Sequence, residues 1–256
     1  IGLAGGTGIA VGGAKLYSYG AAPALDPPKQ PRPSGVTLHL SPFGAAGTLR
    51  DLSNALSETQ KAELLATIIE ESDRLNRFIA NLLDMTRLES GAVVPNTALH
   101  DIGEIIGSAL ERAGKILSNH RVEVSLAADL PMLDVDAVLF EQALFNLLDN
   151  AAKYSDHGTL IHIRGWQDAT SVSLQIIDEG EGIPASDLVH IFEKFFRVQK
   201  SDHVRAGTGL GLAIARGFVE AMGGTVTAAN RTDRAGAVLT VNLPIPAAAK
   251  RLDTAA

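Results

Sequence analysis

The chain has 256 residues, 46% of them hydrophobic and 20% charged, enough for one large or two small globular domains. A net charge of −7 argues against a nucleic-acid binder, whose footprint is a basic patch. There is no cysteine, so disulfides and thiolate metal sites are excluded.

Residues 1–42 open with glycine clusters and continue with Pro23, Pro27, Pro28, Pro31, Pro33 and Pro42. Proline removes a backbone donor and disfavours helix at the residue before it, so the segment is expected to be largely irregular. Gly6-Thr7-Gly8 resembles the start of a dinucleotide loop, but the third glycine of that pattern falls on Val11 and no strand is predicted before it. The uncharged opening is too short to span a bilayer and lacks the basic start of a signal peptide, so the chain reads as soluble.

From Ser57 the pattern becomes helical. Ser57-Glu58-Thr59-Gln60 has the form of a capping box, and Leu65, Ile68, Ser72, Leu75, Ile79 and Leu82 recur in steps of three and four. The spacing predicts a helix to Glu89, stopped at Ser90-Gly91, roughly 50 Å long at 1.5 Å per residue. Such a helix needs a partner helix or a second subunit to cover its stripe, although a core helix of an ordinary domain would show the same pattern.

From about Leu99 the signals are mixed. Asp101 to Glu104 is a second capping box, opening a helix to about Leu117; Arg121–Leu126 alternates as a strand and Val135–Tyr154 is helical. Leu160–Trp166 and Ser171–Ile177 read as a strand pair, Gly209–Met222 as a helix, and Gly224–Ala229 and Ala237–Leu243 as closing strands. The fold class is α+β, a sandwich of helices on a sheet.

Four clusters in this region bear chemistry. In Glu141-Gln-Ala-Leu-Phe-Asn146-Leu-Leu-Asp149-Asn150-Ala-Ala-Lys153-Tyr154, the residues Asn146, Asn150 and Lys153 share one helical face. A carboxamide oxygen suits Mg²⁺ and a lysine one turn on suits a phosphate, although a merely polar helix face would look the same. In Asp178-Glu-Gly180-Glu-Gly182-Ile183-Pro184, a carboxylate at a strand end can accept a hydrogen bond from an exocyclic amine, and the glycines let the backbone turn sharply. Taken alone, it also fits an acidic surface turn. Ile191-Phe192-Glu193-Lys194-Phe195-Phe196-Arg197 sets aromatics beside cations, either to anchor a lid with Arg197 towards a phosphate or as a helix packing its aromatic face. Gly207-Thr208-Gly209-Leu210-Gly211-Leu212 precedes a helix, where free amides and the helix dipole favour phosphate.

In this order the clusters resemble the N, G1, F and G2 boxes of the ATP-binding domain of sensor histidine kinases, a fold shared with gyrase, Hsp90 and MutL. The resemblance implies a two-layer α/β sandwich of that type, preceded by a long helix of a dimerisation hairpin. Asn150 would hold Mg²⁺ with Asn146 close by; Lys153 would meet phosphate and Tyr154 lie along the nucleotide. Asp178 would read the adenine amine beside Gly180 and Gly182. Gly207, Thr208, Gly209, Leu210 and Gly211 would close the phosphate side, with Arg197 in the lid over 184–206.

Asn81-Leu-Leu-Asp-Met-Thr-Arg-Leu-Glu-Ser-Gly91 resembles the end of the second hairpin helix. With Gly217-Phe-Val-Glu-Ala-Met-Gly-Gly224 it is most similar to the potassium-responsive KdpD type. The domains implied are an irregular segment 1–42, a partial dimerisation and phosphotransfer region 43–91, an ATP-binding domain 98–247 and a tail 248–256. The cofactors implied are ATP and Mg²⁺, and the partners are a response regulator receiver domain and a second copy of the chain. No nucleic acid is expected. The location implied is cytoplasmic, with membrane attachment only through parts outside this sequence.

The family's phosphoacceptor motif, a histidine beside an acid and followed by Arg/Lys, Thr/Ser and Pro, is not found. Counting back without gaps, its position falls on Pro33. The nearest histidine is His39, the candidate acceptor, which lacks the adjacent acid that takes the imidazole proton. Two readings stay open: a histidine kinase core, or an ATP-binding and dimerising module that does not phosphorylate itself. An ATP-driven clamp is disfavoured, because such clamps carry a catalytic carboxylate where this helix has asparagines.

Overall fold

The computed structural model describes residues 8–11, 14–17, 42–52, 54–198 and 208–246. They fall into two compact units, 1–77 and 78–256.

In the first unit, β1 (Gly8–Val11) and β2 (Ala14–Tyr17) pair antiparallel within the stretch expected to be irregular. The intervening sequence, Gly12-Gly13, is a pair that two-residue hairpin loops favour. Helix α1 (Pro42–Asp51) follows, then the start of α2 (Glu58–Glu89), whose bounds match the predicted helix. The capping box at its start is formed in both directions: the Ser57 amide donates to Gln60 Oε1 (2.9 Å) and the Gln60 amide to Ser57 Oγ (3.2 Å). Along this part of α2, Leu65 and Leu75 of the predicted seam stay exposed and Ile68 is half-buried, as on an uncovered bundle seam.

The second unit is built on a five-stranded sheet of order β4-β6-β7-β9-β8. Its strands are β4 (Arg121–Leu126), β6 (Leu160–Gln167), β7 (Ser171–Ile177), β8 (Thr225–Asn230) and β9 (Ala237–Pro244). Only β4 and β6 run parallel. Strand β9 alternates strictly, with Ala237, Leu239, Val241 and Leu243 inward, which fixes its register because a one-residue slip would expose them all.

Helices α3 (Ile102–Leu117), α4 (Ala137–Tyr154) and α5 (Gly211–Ala221) form the second layer. Ile102, Ile105, Ala109 and Ala113 on α3, Phe140, Leu144, Leu147 and Leu148 on α4, and Ile214 and Phe218 on α5 join the sheet's inward side chains in one core. Each large apolar side chain buried there contributes roughly 1.5–3 kcal/mol relative to exposure. This is the two-layer α/β sandwich that the sequence implied.

A two-stranded ribbon of β3 (Ala98–His100) and β5 (Leu133–Val135) was not expected, and β5 takes the first residue assigned by sequence to α4. Asp136 then caps α4, its Oδ1 accepting from the amides of Val138 (3.0 Å) and Leu139 (3.1 Å). The last turns of α2 belong to this unit. Met85 is buried in its core, Leu88 lies over Gly217 of α5, and Glu89 pairs with Lys194. Among the described residues no helix is long and apolar enough to cross a membrane.

Candidate nucleotide site

A cavity of about 360 Å³ opens between α4, the end of β7 and the N-terminus of α5. The first sequence cluster lies on α4, the second follows directly on β7 and the described part of the last leads into α5; the aromatic one arrives on a series of turns from Ala185 to Phe195 rather than a helix. Ile191, Phe192 and Phe196 nevertheless pack on the core, which fastens that segment at its base.

On α4, the 3.6-residue period carries Asn146, Asp149, Asn150, Lys153 and Tyr154 to the cavity. Asn146 is buried, and its Nδ2 has no hydrogen-bond partner among the described residues. A buried amide without an acceptor costs about 1–3 kcal/mol, so an oxygen-rich ligand beside it would be favoured. Lys153 pairs with Asp149 one turn earlier. Asp149 was not singled out by sequence; the pairing means that the lysine reaches the cavity already held by an acid.

Asp178 is 3% exposed at the end of β7 and borders the cavity. Its Oδ1 accepts from the amides of Gly180 (2.9 Å) and Ala237 (3.0 Å). Burial pushes its carboxyl above the ordinary carboxylate range, while those two amides and the Arg231 guanidinium pull the other way.

The N-terminus of α5 faces the cavity through Gly209, Gly211 and Leu212. Leu210, at the N-cap position, supplies no side-chain cap, so the first-turn amides carry the helix dipole towards the cavity unclaimed by a capping side chain. Gly209 has φ +70, and a Cβ there would lie 2.8 Å from the Phe195 backbone. The Phe195 amide donates to the Gly209 carbonyl (2.9 Å), and Phe195 itself takes a left-handed φ of 62. The two segments therefore meet backbone to backbone, which only a glycine at 209 permits.

The cavity thus gathers Asn146, Asn150, Lys153, Tyr154, Asp178, Gly182, Arg197, Thr208, Gly209 and Gly211. Two residues expected there do not border it. Leu210 is fully buried, its apolar side chain directed into the core, and Gly180 stands behind Asp178 and serves it through its amide. Gly207 and His39 lie outside the described residues. Sequence reasoning missed Asn81 of α2 and Ala237 of β9, which also line the cavity. Asn81 opens the stretch read as the end of the hairpin helix and Ala237 opens a closing strand, and neither pattern points to a ligand, since both residues arrive through packing between distant segments. Among the described residues no group of three or more His, Asp or Glu could hold a metal ion, and the side-chain oxygens that border the cavity include those of Asn146, Asp149, Asn150 and Glu181, hard donors of the kind Mg²⁺ takes.

The profile of the family described as histidine kinase-, DNA gyrase B- and HSP90-like ATPase matches residues 135–247, the stretch that carries all four clusters. The Sensor protein KdpD of Clostridium acetobutylicum is 38% identical over 202 residues, 78% of this chain but 22% of that protein. The chain thus spans about a quarter of the length of the curated relatives it matches. The solved mycobacterial sensor histidine kinase MprB is 32% identical with a TM-score of 0.52, covering 58% of this chain and 97% of that one. The histidine kinase ThkA, solved in complex with the response regulator protein TrrA, matches in fold at 20% identity and a TM-score of 0.61, over 81% of this chain and 59% of that one.

Proposed function

The chain belongs to the sensor histidine kinase family, in its KdpD-like branch, and on that premise we propose that its cavity binds ATP to phosphorylate a histidine. One observation carries the reading: a buried carboxylate and an uncapped helix N-terminus border a single cavity, as an adenine amine and a chain of phosphates require.

In this reading Asp178 accepts from the adenine amine, beside the turn at Gly182. Tyr154 lies along the nucleotide, and the amides after Gly209 receive the phosphates. Lys153 and Arg197 add positive charge, and Thr208 adds a hydroxyl beside the same amides. Asn150 holds Mg²⁺, and the unpartnered Asn146 amide donates to a phosphate oxygen. When bound with the nucleotide, Mg²⁺ neutralises phosphate charge. The γ-phosphoryl group then passes to an imidazole nitrogen, with ADP leaving and the imidazole proton passing to a base. His39 is the candidate acceptor in this chain. The phosphoryl group would go on to an aspartate of a response regulator, a partner class supported by the ThkA complex. The exposed seam on α2 fits a second copy of the chain, and the working location is cytoplasmic.

A second reading, an ATP-binding and dimerising module without autokinase activity, is favoured by the absence of an acid beside His39. Incubation with γ-labelled ATP and Mg²⁺ separates the two. Autokinase activity predicts acid-labile label on the chain, lost in His39→Ala. Bound nucleotide without label favours the second reading, and a partner chain with an intact acceptor then tests transfer in trans. Label that survives acid would contradict a phosphohistidine.

A further inference from the structure

We propose that Arg231, where β8 gives way to the turn before β9, is a positioning residue that holds Asp178 for adenine from behind the cavity. The proposal rests on the reading of Asp178 as the adenine acceptor. Arg231 is not among the residues lining the nucleotide cavity. Its side chain is 14% exposed and borders a groove on the opposite, solvent-facing surface of the sheet, with His162, Arg164 and Thr240.

From there Arg231 Nη1 donates to the main-chain carbonyl of Asp178 (3.3 Å). The rest of its fork is fixed by Asp233, at 3.0 Å from Nε and 2.8 Å from Nη2, and Glu179 lies 3.9 Å from Nη1. A planar guanidinium can make such a set of bonds at once, whereas an ammonium cannot. The Arg231 amide donates to the Gly236 carbonyl (3.0 Å) and so closes the turn. Gly236 has φ +138, and a Cβ there would lie 2.2 Å from the Asp178 carbonyl oxygen and 2.6 Å from Arg231 Cδ. Glycine thus lets the turn press Arg231 onto Asp178. Ala237 completes the clamp: its carbonyl accepts from the Asp178 amide and its amide donates to the Asp178 carboxylate, both at 3.0 Å.

The charges around Asp178 give this clamp an electrostatic consequence. From α4 come Lys153 and Asp149, paired with each other; after β7 come Glu179 and Glu181; from the β8–β9 turn come Arg231, Asp233 and Arg234. Arg234 is bound to Glu179 and Asp233. Arg231 therefore provides the positive charge at the Asp178 main chain, opposing the burial that raises the Asp178 carboxyl. Without it the carboxyl rises further, and a neutral carboxyl is a poorer acceptor for the adenine amine. Affinity for ATP falls as pH falls, and the fall begins at higher pH in a chain lacking Arg231.

The test is ATP affinity across pH by calorimetry on the full chain, with folding checked by thermal melting. Arg231→Met should bind ATP more weakly, by a factor that grows as pH falls, with the midpoint of its pH profile moved upward. Arg231→Lys should return the profile towards that of the unmodified chain. If the methionine variant does not fold, Arg231→Gln, which keeps a donor and loses the charge, carries the same expectation. Unchanged affinity and an unchanged profile in either folded neutral variant overturn the proposal. If Asp178→Asn binds ATP as tightly as the unmodified chain, the reading of Asp178 itself fails, whatever the arginine variants do.

Discussion

Gly209 and Gly107 have opposite requirements. Gly209 sits at φ +70 against the Phe195 backbone, so Gly209→Ala combines a left-handed penalty of about 1–2 kcal/mol with a contact that only main-chain movement relieves. Gly107 lies within α3 with nothing near its absent side chain, so Gly107→Ala should stabilise by about 0.5–1 kcal/mol. Denaturant melts of the two variants should therefore shift in opposite directions, and equal shifts would contradict the glycine roles assigned here. At this scale the sequence exposed residues that repeat along one element. Asn146, Asn150 and Lys153 were legible because a helical period alone puts them on one face. Arg231 and Gly236 were not. Their meaning depends on a strand register that brings Asn230 opposite Ala237, and no local pattern encodes it. Leu210 was misplaced for a related reason: the loop motif describes a backbone path, while the side chain follows the core.

Turns and caps decide which elements the chain can specify by itself. The β6–β7 connection is fixed by Asp168, whose carboxylate accepts from the amides of Thr170 (2.7 Å) and Ser171 (2.8 Å) and from both hydroxyls. Those bonds hold its carboxyl down at about 2. A depressed carboxyl contributes stability that is fully present above its ordinary value of 3.8 and is lost as pH falls through about 2. Asp168→Asn should thus lower the melting temperature at neutral pH, and the gap from the unmodified chain should narrow as pH falls from about 4 towards 2. A gap independent of pH in that range would contradict the bonding. Elements with such signals were read correctly, α2 through its capping box and β6 and β7 through alternation. The ribbon of β3 and β5 was not, because three-residue strands are too short to show a period. The run from Ile191 to Arg197 offered aromatic spacing that suits a helix. The structure makes it turns, with Phe195 at positive φ, because its amide is committed to Gly209.

For the whole molecule, the residues joined in the cavity come from α2, α4, β7, the aromatic turns, α5 and β9, so assembly of the second unit and of the nucleotide site are one event. Fold and site were legible together to that extent, since the order of the four clusters already implied the layers that bring them face to face. The contribution of α2 was not legible. Asn81 reaches the cavity because Met85 and Leu88 seat the end of that helix on the same core. A ligand held by this many segments should bind the folded unit alone and raise its melting temperature with concentration. The most direct measurement is a calorimetric titration of the full chain with ATP, and separately with GTP, in the presence of Mg²⁺. The account predicts one ATP per chain, preference for ATP over GTP because Asp178 accepts from an exocyclic amine where guanine offers a carbonyl, and loss of binding in Asp178→Asn. No heat of binding with ATP, or equal binding of the two nucleotides, would contradict it.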